Sequence, residues 1–219
     1  MNAFINFIMG PMVWISVLVF FAGLIVKLIK IVNEIKSKEN FIFSYLSFKY
    51  SLRSIGAWLI PFFPQSTRQQ PVFYGVSYLF HILLFLIPLF LMSHLVLFEQ
   101  AFGITWAALP DPLADTLTLG VVGALIFFGV RRFLVPEVKF LTSYKDYLLL
   151  LVVLLPFFTG FLAYHQFFAY QWMVIAHVLS GEFMLIIIPF SRFSHMITAP
   201  LTRSYTGSEF GNVRHARDW

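Results

Sequence analysis

A run of 27 residues without a charged side chain, 72–98, is the feature that most constrains the fold of this chain. A helix needs about 20 apolar residues to cross the hydrocarbon layer of a bilayer, and this run exceeds that length. Four further long apolar stretches favour the same structure. The sequence therefore predicts an all-α integral membrane protein, a five transmembrane helix bundle. The predicted spans, within one membrane domain covering residues 1–219, are 4–26, 72–98, 113–130, 147–164 and 167–190.

The composition agrees with a chain that faces lipid. Hydrophobic residues make up 59% of it and charged residues 11%, whereas soluble domains carry about a quarter charged residues. The chain has no cysteine, so it forms no disulfide and supplies no thiolate to an iron–sulfur cluster.

The basic residues all fall on one side of the predicted membrane. Of the fifteen, seven lie between the first and second spans, four between the third and fourth, and four from Arg192 onward. By the positive-inside rule that side is the cytoplasm, which predicts an N-terminus outside and a C-terminus inside. The same partition accounts for the net charge of +5 and gives no reason to expect nucleic acid as a partner.

Two segments outside the spans need separate interpretation. Segment 41–63 mixes aromatic and aliphatic residues with Lys49 and Arg53, which suits a helix lying in the membrane interface. An ordinary cytoplasmic loop fits this composition equally well. The polar tail that follows the fifth span is predicted to be partly mobile.

Four histidines lie within or at the ends of predicted spans, where an ionisable side chain marks a candidate functional site. His177 and His195 are 18 residues apart, so a regular helix would place both on one face, about 27 Å apart. Spans two and five run in opposite directions. His81 therefore belongs with His195 near the cytoplasm, and His94 with His177 near the outside.

Neutral imidazoles paired in two layers are the ligand set that two b-type haems require. A single buried histidine equally suits a hydrogen bond to a neighbouring helix. His81 and His94 are 13 residues apart and would not share a face of an ideal helix, so the outer pair depends on a distortion at Pro88. His165 in an outer loop and His215 in the tail are expected to be solvated.

Two charged residues near these histidines are further candidates. Glu182 is an acidic residue in the interior of a span, away from its ends, and it suits a proton or quinone contact. A neutral acid that is hydrogen-bonded to a neighbouring helix or to a haem propionate is the alternative. Arg192, close to His195, suits contact with a propionate of the inner haem. No spacing typical of a zinc site, of a Ser/His/Asp triad or of a phosphate-binding loop occurs.

Several motifs give the chain a resemblance to a known family. It resembles the cytochrome b (gamma) subunit of respiratory nitrate reductases and, more strongly, relatives of that subunit in transmembrane redox complexes of sulfate-reducing bacteria. The nitrate reductase pattern would place one outer ligand at Leu91, whereas the sulfate-reducer branch uses the position of His94. The motifs are Leu79–Ile82, Arg131–Arg132 with Pro136, His177 with Gly181, Pro189–His195, Pro88–His94 and Leu109–Asp111.

The resemblance implies a function in electron transport. Members of the family are respiratory chain subunits in the bacterial inner membrane, and they carry two b haems. They pass electrons between the quinone pool and a cytoplasmic-side iron–sulfur subunit. His81 and His195 would ligate the inner haem, and His177 with His94 the outer one. A periplasmic multihaem cytochrome c is a candidate partner, and menaquinone is a candidate further cofactor.

Rival functions stay open at this point. The cytochrome b subunit of a membrane hydrogenase or formate dehydrogenase would use the same haems with a different partner. A haem-free transporter or an assembly factor would use the histidines for proton or metal passage. In every case the chain lacks a soluble catalytic domain, so no substrate chemistry beyond quinone redox is expected of it.

Overall fold

The computed structural model describes residues 2–219, which are 82% helical and contain no β-strand. Five helices in this part of the chain are long and apolar enough to cross a membrane, which confirms the prediction of an all-α protein with five candidate spans. Their bounds are Ala3–Lys38, Pro71–Phe90, Asp111–Leu134, Tyr144–Tyr164 and Tyr170–Ile187.

The first candidate span is built from three consecutive pieces. Helix α1 (Asn2–Phe7) leads through a π-helical turn, Ile8–Met12, into helix α2 (Val13–Lys38). Pro11 lies in the π-helical turn and has no backbone N–H to give to a regular helix, which accounts for the irregularity. Helix α2 continues twelve residues beyond the predicted end at residue 26 and carries its basic side chains in its later turns.

The segment between the first two spans is helical in short pieces. The longest of them, α4, lies inside the segment 41–63, for which an interfacial helix was predicted. The residue before it, Ser47, has an extended backbone. The pieces are α3 (Ile42–Tyr45), α4 (Phe48–Leu59) and α5 (Gln65–Arg68).

The second predicted span is not one helix. Helix α6 (Pro71–Phe90) ends before Leu91, whose backbone is extended, and helix α7 (Met92–Phe102) begins directly after it. The predicted span 72–98 is therefore interrupted three residues after Pro88, and its candidate membrane-crossing helix is Pro71–Phe90. The remaining helices are α8 (Asp111–Leu134), α9 (Pro136–Leu141), α10 (Tyr144–Tyr164), α11 (Tyr170–Ile187) and α12 (His195–Ser208).

The chain divides into two compact units. Unit 1 contains residues up to 8 and 75–184, and unit 2 contains residues 9–74 and 185–219. In unit 1, helices α8 and α10 pack against each other, and the side chains of Val121 and Leu125 are buried. Helix α10 begins with a capping box. The backbone N–H of Ser143 donates to the Asp146 carboxylate, and the Ser143 hydroxyl oxygen accepts from the backbone N–H of Asp146.

Unit 2 is organised by a close crossing of α4 and α12. A Cβ atom added to Gly207 would lie 2.3 Å from the Cβ atom of Ser54, so only glycine permits this approach. The crossing is also polar, since the Ser51 hydroxyl donates to the backbone oxygen of Ser204 at 3.1 Å. Small side chains and hydroxyl groups thus let the two backbones come together.

The C-terminal tail, for which partial mobility was predicted, contacts the same helices. The side chain of Asp218 is fully buried and accepts a hydrogen bond from the Ser54 hydroxyl at 2.5 Å. Arg53 donates to the backbone oxygen of Ala216 at 3.0 Å and lies 4.9 Å from the centre of the Trp219 ring. These contacts offset the conformational entropy that a polar tail loses on ordering.

Candidate functional site

The interruption between α6 and α7 sets the position of His94. Pro88 lies inside the last turn of α6, and Leu91 (φ −72°, ψ 131°) leaves the helical conformation three residues later. The outer histidine pair was predicted to depend on a distortion of the helix at Pro88. The structure contains such a distortion, a complete break between α6 and α7. His94 lies in the first turn of α7, where its direction no longer depends on the azimuth of His81 along one helix.

A helix that ends leaves its last backbone carbonyl groups without an intrahelical donor. At this break, three consecutive carbonyl groups receive donors from elsewhere in unit 1, each contributing about 1 kcal/mol net. The ring of His94 supplies one of them, and the 103–110 loop supplies the other two. The bonds are His94 Nδ1 to Pro88 O (2.9 Å), Trp106 Nε1 to Leu89 O (2.9 Å) and Leu109 N to Phe90 O (2.8 Å).

The ring of His94 lies beside the ring of His177 from α11. Their centroids are 5.9 Å apart and their planes differ by 11°. The sequence assigned these two residues to one layer, and the structure brings them together within unit 1. We call them the histidine pair.

Helix α10 holds the His177 side of the histidine pair. The Nδ1 atom of His177 donates to the backbone oxygen of Pro156 at 2.9 Å. A Cβ atom at Gly160 would lie 2.9 Å from two atoms of the same ring, so the ring occupies the space that this glycine leaves. The hydroxyl groups of Thr159 and Ser180 are 3.4 Å apart, and Ser180 donates to the backbone oxygen of His177 at 2.9 Å. A neighbouring helix thus positions the ring of this residue, and a side chain of α11 itself bonds to its backbone oxygen.

The hydrogen bonds determine which ring nitrogen can bind a ligand. A carbonyl oxygen only accepts, so Nδ1 of each ring must carry the proton, and Nε2 of each neutral imidazole keeps its lone pair. Metal-binding histidines use this arrangement, in which one nitrogen binds the metal and the other donates to a carbonyl group.

The separation of the rings fits a shared metal atom. With metal–nitrogen bonds of about 2 Å, one atom bound by Nε2 of both imidazoles would set the centroids roughly 6 Å apart. Packed aromatic rings also reach this separation. The two Nδ1 hydrogen bonds favour ligation because they leave the Nε2 lone pair of each ring available. The two imidazoles could therefore hold the iron of a haem.

The other two candidate ligands lie in different units. His81 belongs to unit 1, and its Nδ1 donates to the backbone oxygen of Ser77 at 2.7 Å. His195 belongs to unit 2, and its Nδ1 donates to the backbone oxygen of Arg192 at 3.1 Å. Each ring is exposed and oriented by a bond to its own segment of chain. Like the histidine pair, both carry the Nδ1 proton and keep the Nε2 lone pair.

The prediction that His177 and His195 share one helix face is wrong. Helix α11 ends at Ile187, a turn and a 3₁₀ segment (Arg192–Ser194) follow, and His195 begins α12. Pro189 gives the physical reason, because the residue before a proline disfavours the helical conformation and the proline has no N–H to donate.

The turn before His195 is tied to helix α2 within unit 2. Lys27 Nζ donates to the Ser194 hydroxyl at 2.5 Å and to the backbone oxygen of Pro189 at 3.3 Å. A Cβ atom at Gly23 would lie 2.7 Å from the Cβ atom of Pro189, so the glycine permits the close approach. The first span therefore positions the segment that carries His195.

Glu182 is buried in α11 and exposes 3% of its surface. Neither carboxyl oxygen has a hydrogen-bond partner among the described residues. The alternative interpretation, a neutral acid hydrogen-bonded to a neighbouring helix, therefore has no such bond among these residues. An unpaired buried carboxylate costs several kcal/mol, which favours the neutral acid at this position.

The remaining candidates lie at the surface. His165 follows α10 and its Nε2 is 3.1 Å from a carboxyl oxygen of Asp115, which gives this exposed ring a partner other than a metal. Arg192 and His215 are exposed. Residues 2–219 contain no group of three or more histidine, aspartate or glutamate side chains that could hold a metal ion by themselves.

Three residues that position the candidate ligands were not found from the sequence, namely Lys27, Trp106 and Gly160. Each acts through a partner distant in sequence, so no local pattern marks it. A tryptophan in the short connection between α7 and α8 was the one visible signal, since its indole N–H is a hydrogen-bond donor that can reach a backbone carbonyl group.

Fold and site together define a multi-pass helical membrane protein with a two-histidine site. No family model matches the chain, and no solved structure matches it. A protein of Nitratidesulfovibrio vulgaris, whose printed name is simply "Protein", is 37% identical over 213 residues, covering 95% of this chain and 94% of its own. The chain belongs to the same family as that protein.

Proposed function

We propose that the chain is the di-haem b-type cytochrome subunit of a membrane respiratory complex. It carries electrons across the membrane between the quinone pool, or an outer cytochrome c, and an iron–sulfur partner on the cytoplasmic side. The observation that carries the proposal is the histidine pair, with parallel rings 5.9 Å apart and both Nδ1 atoms bonded to carbonyl groups. The family resemblance set out above supports it.

In this proposal His94 and His177 would hold the iron of the outer haem. A b-type haem supplies a one-electron couple between ferric and ferrous iron when it is bound. The carbonyl groups of Pro88 and Pro156 hold the two rings in the ligating tautomer and raise the basicity of Nε2. The break at Leu91 and the 103–110 loop fix the backbone from which His94 extends.

The inner haem rests on the sequence and on the resemblance. His81 and His195 are its proposed ligands, and the Nδ1 hydrogen bond of each ring leaves Nε2 as the coordinating atom. Arg192 is the proposed contact for a haem propionate. Lys27 supports this site indirectly, because it holds the turn that leads into His195.

The orientation and the membrane are also part of the proposal. The one-sided distribution of basic residues supports an N-terminus outside and a C-terminus in the cytoplasm of a bacterium, with the chain in the inner membrane. The α4–α12 crossing and the ordered tail would then face the iron–sulfur subunit. Menaquinone is the proposed quinone, and Glu182 the proposed proton or quinone contact inside the membrane.

A haem-free, proton-coupled transporter is the second candidate function. The buried and unpartnered carboxyl group of Glu182 favours it, since such groups mark proton pathways in membrane proteins. It assigns the histidines to proton passage and leaves the parallel geometry of the histidine pair without a role.

Haem content decides between the two. The chain, expressed in a bacterium that makes b-type cytochromes and purified in mild detergent, should give a reduced-minus-oxidised b-type spectrum and two haems per chain. Subunits that copurify should include an iron–sulfur protein. A monodisperse preparation without haem, from cells that load a control cytochrome b, would refute the proposal and favour the transporter.

A further inference from the structure

We infer that Gly160 is a positioning residue for the outer haem, which it serves by leaving the space that the His177 ring occupies. This inference rests on the proposed function and deepens it. It assigns to a residue without a functional side chain the placement of one proposed haem ligand, the His177 ring.

The space at Gly160 is specific to the ring. A Cβ atom there would lie 2.9 Å from both Cε1 and Nδ1 of His177 and 3.7 Å from Cγ. Carbon atoms in ordinary contact are about 3.5–4.0 Å apart, so an added methyl group would push the ring away by roughly 0.6 Å or more. The three atoms closest to the missing Cβ all belong to this one imidazole.

The ring cannot retreat without loss of its hydrogen bond. The acceptor, the backbone oxygen of Pro156, lies one helical turn before Gly160 on the same helix. A displacement away from Gly160 is therefore also a displacement away from α10 and its carbonyl group. Since that bond fixes the tautomer and the direction of Nε2, the methyl group would change the ligand geometry at the metal.

The backbone of His177 is held independently of its ring. Ser180 donates to the His177 backbone oxygen at 2.9 Å, and its hydroxyl lies 3.4 Å from that of Thr159 on α10. The Ser180–His177 bond lies within α11, and the contact with Thr159 brings α10 beside it. The ring is the part of His177 that an added methyl group at Gly160 would meet.

The chain supplies matched control variants. Gly56 lies within α4 and Gly123 within α8, and a Cβ atom at either would meet nothing within 4 Å. Alanine is favoured over glycine inside a helix by about 1 kcal/mol, so both control substitutions should be neutral or stabilising. The three Gly→Ala variants add the same methyl group and differ in what it meets.

The test is low-temperature EPR and haem titration of the purified full chain carrying Gly160→Ala, Gly56→Ala or Gly123→Ala. We expect Gly160→Ala to shift or abolish one of two low-spin signals and to lower the affinity for that haem by roughly 10- to 100-fold. The second signal serves as an internal measure of correct folding. Added imidazole should restore a six-coordinate low-spin signal, because the pocket remains and only the ligand is displaced.

The outcomes separate the inference from the proposed function. A wild-type chain with two haems and a Gly160→Ala variant with an unchanged spectrum and affinity would overturn the role of Gly160 alone. Loss of both haems in Gly160→Ala would overturn it as well, because the effect would not be confined to the centre that His177 ligates. A wild-type chain without haem would instead refute the proposed function.

Discussion

His177 and His195 are equivalent in the sequence, at the two ends of one apolar run, and different in the structure. His177 lies within a regular helix, and its ring bonds to another helix, α10, at Pro156. His195 lies at the start of a new helix beyond a turn, is exposed, and bonds to Arg192 three residues earlier. The His177 ring is oriented by tertiary packing and the His195 ring by local turn geometry.

This contrast indicates which substitutions should disturb each site. The His177 ring should respond to changes on α10 and on the loop that holds its partner, His94. The His195 ring should respond to changes in the turn before it and in Lys27, which holds that turn. The predictions below use this difference, from the largest expected effect to the smallest.

Removal of a ligand should have the largest effect and should be selective. We expect His177→Ala and His195→Ala each to remove one haem of two, and the haem that remains should differ between them. Spectra of the purified variants at known protein concentration measure this loss. Full haem content in His195→Ala would show that His195, unlike His177, does not ligate a haem.

A change in the 103–110 loop should affect the histidine pair. Trp106→Phe keeps an aromatic ring but removes the N–H that donates to the backbone oxygen of Leu89 at 2.9 Å. We expect a loss of about 1 kcal/mol in local stability and a broader low-spin signal from the outer haem only. An equal effect on both haem signals would contradict the assignment of this loop to one site.

A change in the first span should affect the other site. Lys27→Met removes the hydrogen bonds to Ser194 and Pro189 and keeps most of the apolar stem. We expect weaker retention of the inner haem on dilution in detergent, with the outer haem unchanged. Lys30→Met, in the next turn of the same helix, is the control for loss of charge. Identical behaviour of the two variants would argue against the role of Lys27.

Glu182→Gln should have the smallest effect on the cofactors. The amide keeps the size of the side chain, so we expect both haems to be retained and quinone-linked electron transfer to be slowed. Turnover with a soluble menaquinol analogue measures this effect. Normal turnover in the variant would reduce Glu182 to a buried neutral acid that serves packing.

Much of the fold followed from the sequence, because long apolar stretches and one-sided basic residues report directly on the membrane. The five candidate spans were identified in this way, and the distortion near Pro88 was required by the mismatch between His81 and His94. The end of α11 at Ile187 could have been predicted from Pro189, since that proline disfavours a continuous helix to His195.

The rest depended on contacts between segments distant in the sequence. Gly160 is one of several glycines in the spans, and only the position of the His177 ring distinguishes it from Gly123. The order of the tail rests on the Asp218–Ser54 hydrogen bond, which joins residues 164 positions apart. No local propensity reports on such pairs, because the partner decides the effect.

The most direct test of the central claim, that His94 and His177 ligate one haem, is low-temperature EPR of the oxidised protein. We expect two low-spin signals in the wild type, and His94→Ala should abolish one of them or convert it to high spin. His165→Ala, which removes an exposed histidine bonded to Asp115, should leave both signals intact. Loss of a signal in His165→Ala with both retained in His94→Ala would contradict the assignment of the histidine pair.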